Sequence, residues 1–290
     1  MLQTLYLSSN VTQYGGNLVL KMNGNNVYCP QNPSDLIIGA REKCHEGYYN
    51  VNSGWVESKE AYNTKYGYIE AKIKVPYGHS FFPGFWTFVG PGVSNNSNAA
   101  EIDIFEMLGG GRLTDFDSPD ILTTNIWTEY PSIVDHGKQH KPTNFNYTQW
   151  NTYAVEWSPS KIVWYVNHSP IRVLKNHQII DPVRVLFNFA VRPDLPPDYS
   201  TPFPSEMLVD YVKVYSLKKD CGSTLNACNY DFSNHDNKVK NTINIGNGTC
   251  SNSLSPGDNV ILRASNGVEI KGSFEVPVNA ELYIDANNCQ

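Results

Sequence analysis

An all-β sandwich or barrel is the fold this sequence predicts, and three observations carry the prediction. Short runs in which apolar and polar residues alternate recur along most of the 290 residues. Gly, Pro and Asn clusters punctuate those runs at regular intervals. Helical periodicity and capping signals are almost absent, which leaves packed sheets as the way to bury the apolar faces.

In chain order, Asn17-Leu18-Val19-Leu20-Lys21 reads as a strand and Met22-Asn23-Gly24-Asn25-Asn26 as a turn. From Gly54 to Val75 the pattern is strand-like: Tyr68, Glu70, Lys72 and Lys74 alternate with Ile69, Ala71, Ile73 and Val75 before Pro76-Tyr77-Gly78 stops the run. Phe81 to Phe88 forms an aromatic strand, and a Gly- and Asn-rich loop from Gly90 to Asn98 follows it. Ile121 to Thr128 alternates so that Thr123, Asn125 and Trp127 share a face. Tyr153–Trp157 and Lys161–Val166 flank Ser158-Pro159-Ser160 as a hairpin, Val185–Val191 is a nearly continuous apolar run, and Val209–Tyr215 closes the region. Beyond it aromatics thin out while Asn, Gly and Ser rise. These shifts predict a large β domain over 1–216, a linker over 217–238, and a small β module over 239–290. About 50 residues bury little core, so disulfides are expected to help hold that module.

Composition narrows the partners. With 22 basic and 28 acidic residues the net charge is −6, which does not suggest binding to nucleic acid or an anionic membrane. No apolar run reaches membrane-spanning length. Six cysteines without a CxxC pair fit an oxidising compartment rather than zinc or redox chemistry, and Cys29–Cys44 is the local bridge we expect. Disulfides point to a secreted or cell-surface protein whose signal peptide has been removed. The aromatic share of 12%, with 18 Tyr and 6 Trp, suits stacking on sugar C–H faces as well as a β core.

The chemistry concentrates in Glu101-Ile102-Asp103-Ile104-Phe105-Glu106. On a regular strand Glu101 and Asp103 share one face and Glu106 points the other way; a one-residue bulge near Ile104-Phe105 would bring Glu106 round beside them. Three acids on one face repel one another. Close carboxyl groups have their pKa values pushed apart, so that one stays protonated while another is ionised. Retaining glycoside hydrolysis needs such a pair, roughly 5–5.5 Å apart. Two other readings fit the same six residues: a Ca²⁺ or Mg²⁺ site built from three carboxylates, and a strand that is merely polar on its solvent face.

With these motifs in place, the stretch from about Asn17 to Tyr215 resembles glycoside hydrolase family 16, the β-jelly-roll enzymes that cleave β-glucans and galactans. The resemblance rests on Tyr66-Gly67-Tyr68-Ile69-Glu70-Ala71-Lys72-Ile73-Lys74-Val75-Pro76, Pro83-Gly84-Phe85-Trp86, the acid strand, Tyr153-Ala154-Val155-Glu156-Trp157 and Met207 to Tyr215, in the family's order. It implies a β-jelly-roll sandwich, with Glu101 as nucleophile, Glu106 as acid and base, and Asp103 tuning the nucleophile. The ExDxxE spacing is the bulged form of laminarinases and galactan hydrolases. The resemblance also implies that Trp86, Asn125, Trp127 and Asn188 contact substrate. A buried amide satisfied by backbone is the alternative for Asn125 and Asn188, and a core position is the alternative for Trp86. A structural Ca²⁺ would sit at Asp210 with a backbone carbonyl near Gly54; no cofactor is expected for catalysis.

Three departures bear on substrate. Phe82 stands where laminarinases carry the first Trp of their aromatic motif. Asn125 and Trp127 stand where many of them have a His. Val191-Arg192-Pro193-Asp194 replaces the family's double Gly after Ala190. The expectation is a monomeric, retaining endo-β-glucanase acting on β-1,3-linked glucan. Its rivals are the same mechanism on mixed-linkage glucan, xyloglucan or an algal galactan, a non-catalytic glycan-binding protein on the same scaffold, and a Ca²⁺-dependent adhesion module. The tail loosely resembles small β-repeat modules of secreted Bacteroidetes-type proteins.

Overall fold

The computed structural model describes residues 4–29, 47–58, 63–89, 101–109, 118–128, 134–158, 161–175, 179, 181–215, 219–235, 238–246 and 249–286. The chain divides into two compact units, Met1–Tyr215 and Ser216–Gln290. Strands of the first unit are, in chain order, β1 Leu5–Tyr6, β2 Val11–Tyr14, β3 Asn17–Met22, β4 Val27–Cys29, β5 Gly47–Tyr49, β6 Asn52–Ser53, β7 Trp55–Glu57, β8 Gly67–Lys74 and β9 Phe81–Val89. They continue with β10 Glu101–Glu106, β11 Leu122–Thr128, β12 Val134–Asp135, β13 Lys138–His140, β14 Asn151–Trp157, β15 Lys161–Val166, β16 Ser169–Lys175, β17 Val183–Val191 and β18 Ser205–Tyr215.

Two seven-stranded antiparallel sheets pack face to face. One runs β12-β11-β10-β9-β17-β7, with β13 also on β11; the other runs β16-β15-β14-β8-β18-β3-β2. Period-two alternation decides what lies between them. From the first sheet Phe85, Val89, Ile102, Phe105, Ile126, Val185, Phe187 and Phe189 enter the core; Ile69, Ala71, Ile73, Tyr153, Val155, Trp157, Ile162 and Trp164 enter from the second. Ring geometry locks the middle of this core. Phe85 stacks on Phe187 at 4.7 Å and meets Phe105 at 6.1 Å, and Phe105 lies 4.5 Å from Tyr153 of the opposite sheet.

The second unit has a different logic. Its strands are β19 Lys219–Ala227, β20 Val239–Ile245, β21 Asn252–Ser253, β22 Asn259–Ala264, β23 Val268–Ile270, β24 Phe274–Glu275 and β25 Glu281–Ala286. Every pairing among them is parallel, so each stretch of chain returns to lie on the one before, as in a solenoid. Ala227, Phe232, Ile243, Ile245, Leu254, Val260 and Leu262 fill its core. This corrects the expected linker over 217–238, because residues 219–227 pair with β20 and Phe232 is a core residue. The polar sequence hid that strand, since only two alternate apolar residues, Leu225 and Ala227, mark its inner face. Cys228–Cys250 joins two successive turns of chain, closing a loop of 22 residues. Such a closure stabilises by roughly 3 kcal/mol in the chain-entropy picture. Cys29 is disulfide-bonded; the Cys44 end of the expected bridge lies outside the described residues, as does the Gly90–Asn98 loop. Among the described residues no helix is long and apolar enough to cross a membrane.

Candidate active site

The strand register shows how three acids reach one face. Against β9, Glu101, Ile102 and Asp103 sit opposite Phe88, Thr87 and Trp86; the register then slips, and Phe105 and Glu106 sit opposite Phe85 and Gly84. Against β11, Asp103 faces Asn125 while Glu106 faces Thr123, again with a slip between them. One extra residue is therefore accommodated at Ile104, the bulge expected from the sequence. Both Ile104 and Phe105 turn into the core, and Glu106 swings back to the face shared by Glu101 and Asp103. Glu101 and Glu106 are half-buried, and Asp103 is 1% exposed.

A bulge disturbs the hydrogen-bond ladder, and a side chain of the opposite sheet answers it. Trp164 of β15 donates its Nε1–H to the Asp103 carbonyl at 2.8 Å, across the core. The Arg172 guanidinium stands 4.9 Å over the Trp164 ring and donates to the Thr124 carbonyl at 2.8 Å, to Thr124 Oγ1 at 2.9 Å, and to the His136 carbonyl. Thr124 Oγ1 lies 2.9 Å from His140 Nε2. That hydroxyl accepts from Arg172 and keeps both a proton and a second lone pair, so it can pair with Nε2 in either tautomer of the neutral imidazole. Burial, then the charges of Arg172 and Lys138, hold His140 down at about 3.

That shift has a consequence for stability. An unfolded His140 takes up a proton below about 6.5, whereas the folded one resists it down to about 3. The unfolded state therefore binds more protons in this window, and stability falls as pH drops from about 6.5 towards 3. The loss is expected to be roughly 2–4 kcal/mol after discounting for partial solvent screening. Unfolding free energies of the protein and of His140→Gln, measured from pH 7 to 4, should converge as the pH falls. A difference that stays constant would count against this assignment.

Beside the acids, on the same face, lies an aromatic cluster that does not belong to the main core. Trp55, Phe88 and Leu186 are buried there, with Tyr6 and Trp86 packed against them. Trp55 meets Trp86 edge-on at 5.5 Å, and Tyr6 lies 5.1 Å from Trp55. Trp86 Nε1 donates to Asn188 Oδ1 at 2.8 Å, and Asn188 Nδ2 donates to the Tyr6 hydroxyl at 3.5 Å. Burial pushes that phenol up to about 12, so it stays neutral. Gly84 makes the arrangement possible, because a Cβ there would stand 2.7 Å from Asn188 Oδ1.

The residues expected to contact substrate thus divide. Trp86 is partly exposed on the acid face, opposite Asp103, and Trp127 is partly exposed opposite Glu101. Asn125 is 1% exposed, and its Oδ1 accepts the Ile126 N–H at 2.7 Å, the backbone-satisfied alternative. Asn188 is 8% exposed, and its hydrogen bonds to Trp86 and Tyr6 hold the indole in place. Releasing it in Asn188→Ala should raise KM roughly three- to tenfold, the worth of one hydrogen bond, with little change in kcat. A kcat loss without a KM change would remove the positioning role. Tyr6, Trp55 and Trp164 were not foreseen. Trp55 carries a readable signal, an aromatic residue on a short strand; Tyr6 sits on a two-residue strand, and Trp164 reads only as core.

The proposed calcium residues lie elsewhere. The Asp210 carboxylate pairs with Lys72 Nζ at 2.8 Å, and the Gly54 carbonyl accepts the Phe189 N–H at 3.3 Å. Calcium takes six to eight oxygens. Asp210 Oδ1 and the second lone pair of the Gly54 carbonyl are the oxygens these two residues would bring to such an ion, whose role would be structural. Among the described residues no three His, Cys, Asp or Glu side chains are grouped as ion ligands, the acid strand included.

A face-to-face antiparallel sandwich with three carboxylates and an aromatic cluster on one face of a sheet fits the class of glycoside hydrolases. Residues 4–190 match the family described as Glycosyl hydrolases family 16, and the chain belongs to that family. An endo-1,3-1,4-beta-glycanase, ExsH, of Rhizobium meliloti (strain 1021) is 30% identical over 178 residues, 59% of this chain and 35% of its own length. A beta-glucanase of Rhodothermus marinus is 28% identical over 207 residues, 62% of this chain and 67% of its own. The chain thus spans about a third of the first relative. Among solved structures, the endo-beta-1,3-glucanase of Pyrococcus furiosus superposes with a TM-score of 0.59 at 24% identity, covering 73% of this chain and 79% of that one. The laminarinase catalytic domain of Thermotoga petrophila RKU-1 gives 0.58 at 23%, covering 72% and 81%. At these identities the structural likeness establishes the jelly-roll fold.

Proposed function

We propose that the protein is a secreted, retaining endo-β-glucanase that hydrolyses β-1,3-linked glucan. The observation that carries the reading is the bulge at Ile104, which turns Glu101, Asp103 and Glu106 to one face beside Trp86. In this reading a sugar ring stacks on Trp86. Glu101 attacks the anomeric carbon as Glu106 gives its proton to the leaving oxygen, forming a glycosyl ester and releasing one chain end. Glu106, now ionised, takes a proton from water; that water attacks the anomeric carbon of the ester, breaks its bond to the Glu101 oxygen and frees Glu101 with overall retention. Asp103, between them and almost fully buried, hydrogen-bonds the nucleophile and adjusts its basicity.

A second reading keeps this mechanism and changes the glycan. Arg192, 4% exposed, follows β17 and is held by Asp194 through two contacts, Nε to Oδ1 at 3.0 Å and Nη2 to Oδ2 at 2.6 Å. A relative 25% identical over 223 residues is named a keratan-sulfate endo-1,4-beta-galactosidase, from Sphingobacterium multivorum. Reducing-end release from laminarin, mixed-linkage glucan, xyloglucan and agarose separates the two. Preference for laminarin supports the β-1,3 reading; preference for another polymer transfers the assignment to it; no release from any of the four would sink the β-glucanase reading.

A further inference from the structure

We infer that a polar pocket beside the N-terminal strand, with none of the three acids in its lining, binds a neutral sugar residue and acts as an outlying subsite for a glycan chain. The pocket has a volume of about 520 Å³ and no charged residue in its lining. That volume is within the usual range for small-molecule sites. Four asparagines dominate it. Asn10 and Asn52, 6% and 3% exposed, form its floor: Asn10 Nδ2 donates to Asn52 Oδ1 at 2.7 Å, and Asn23 Nδ2 bridges Asn10 Oδ1 at 3.0 Å and Asn52 Oδ1 at 3.3 Å. Asn52 Nδ2 donates to the carbonyl and Oδ1 of Asn25, at 3.3 and 2.8 Å. The Asn23 and Asn52 backbones exchange hydrogen bonds at 2.8 and 3.1 Å, so the floor is rigid.

This network engages one lone pair on each oxygen of Asn25 and leaves its side-chain amide N–H groups, together with the Ser9 hydroxyl, at the exposed rim. One wall is aromatic. The Phe203 ring lies against Gly24, where any Cβ would overlap it, and packs on Phe81 at 6.1 Å. Amide donors beside the face of a fixed ring, with no charge nearby, match a hydroxyl-rich neutral ring better than an ion or an acid. The chain also ties the pocket to the aromatic cluster beside the acids. Leu7 of the lining follows Tyr6, and Asn52 precedes Trp55 by three residues. The inference rests on the glycanase reading for its ligand class, and its test reads binding without turnover.

The test is affinity electrophoresis through gels carrying laminarin, mixed-linkage glucan, xyloglucan or agarose, run with Glu101→Gln so that no polymer is consumed. Asn25→Ala, at an exposed position, and Phe203→Ala are then added to that background. Retardation by at least one polymer should weaken roughly five- to tenfold in each pocket variant, as expected for one or two lost contacts. Retardation unchanged in Asn25→Ala, with its melting temperature unchanged, would overturn the inference, as would no retardation by any polymer. Loss of retardation confined to the pocket variants supports it even where the protein without Glu101→Gln cleaves none of the four.

Discussion

Glu101→Ala should lower kcat by roughly a thousandfold or more, because it removes the only group proposed to bond to the anomeric carbon. The loss itself does not say what Glu101 does; the product of rescue does. Azide fits the space the carboxylate vacates. With Glu106 still able to protonate the leaving oxygen, azide displaces it in a single step and yields the inverted α-glycosyl azide. Glu106→Ala should behave otherwise. Its kcat on the polymer should fall roughly a hundred- to ten-thousandfold, the usual worth of a general acid. An aryl glycoside with a good leaving group needs no protonation, so the glycosyl–Glu101 ester still forms. Azide then attacks that ester and yields the β-glycosyl azide. Interchanged configurations would interchange the roles, and equal losses on polymer and aryl glycoside with no azide adduct from either variant would leave neither acid in its role.

The acid face was readable because it depends on local chain geometry. A period of two places Glu101 and Asp103 together, and the only economical way to add Glu106 is one extra residue, which the register slip at Ile104 supplies. The sandwich was readable for the same reason, since each sheet's inner face is written in alternate residues. What escaped depends on partners far apart in the chain. Asn188 meets Trp86 across 102 positions and Tyr6 across 182, so the sequence did not reveal that this amide holds an indole. The second unit shows the same limit. Parallel neighbours such as Leu225 and Ile243 pair only after the chain has gone round once, and the polar residues between them looked like linker. Cys228–Cys250 could not be chosen among the alternatives until that winding was known.

The bulge itself supplies the second large effect. Trp164→Phe keeps most of the buried ring but removes the N–H that reaches the Asp103 carbonyl from the opposite sheet. A buried carbonyl stripped of that partner should cost about 1–3 kcal/mol. The same change lets the strand relax between the two outer acids, and a displacement of 1 Å at a reacting group can lower a rate roughly a hundredfold. A fall in kcat of roughly ten- to a hundredfold is therefore expected together with the lower melting temperature. Trp157→Phe is the control. Trp157 is also fully buried and donates its Nε1–H to a backbone carbonyl, that of Ile179, at 3.0 Å, but nowhere along the acid strand. Its loss should lower the melting temperature by a similar amount and leave kcat within about twofold, because stability and site geometry are coupled only where the bond meets the bulge. Equal effects on kcat from the two substitutions would mean that Trp164 acts through stability alone, and that Asp103 keeps its geometry without help from the opposite sheet.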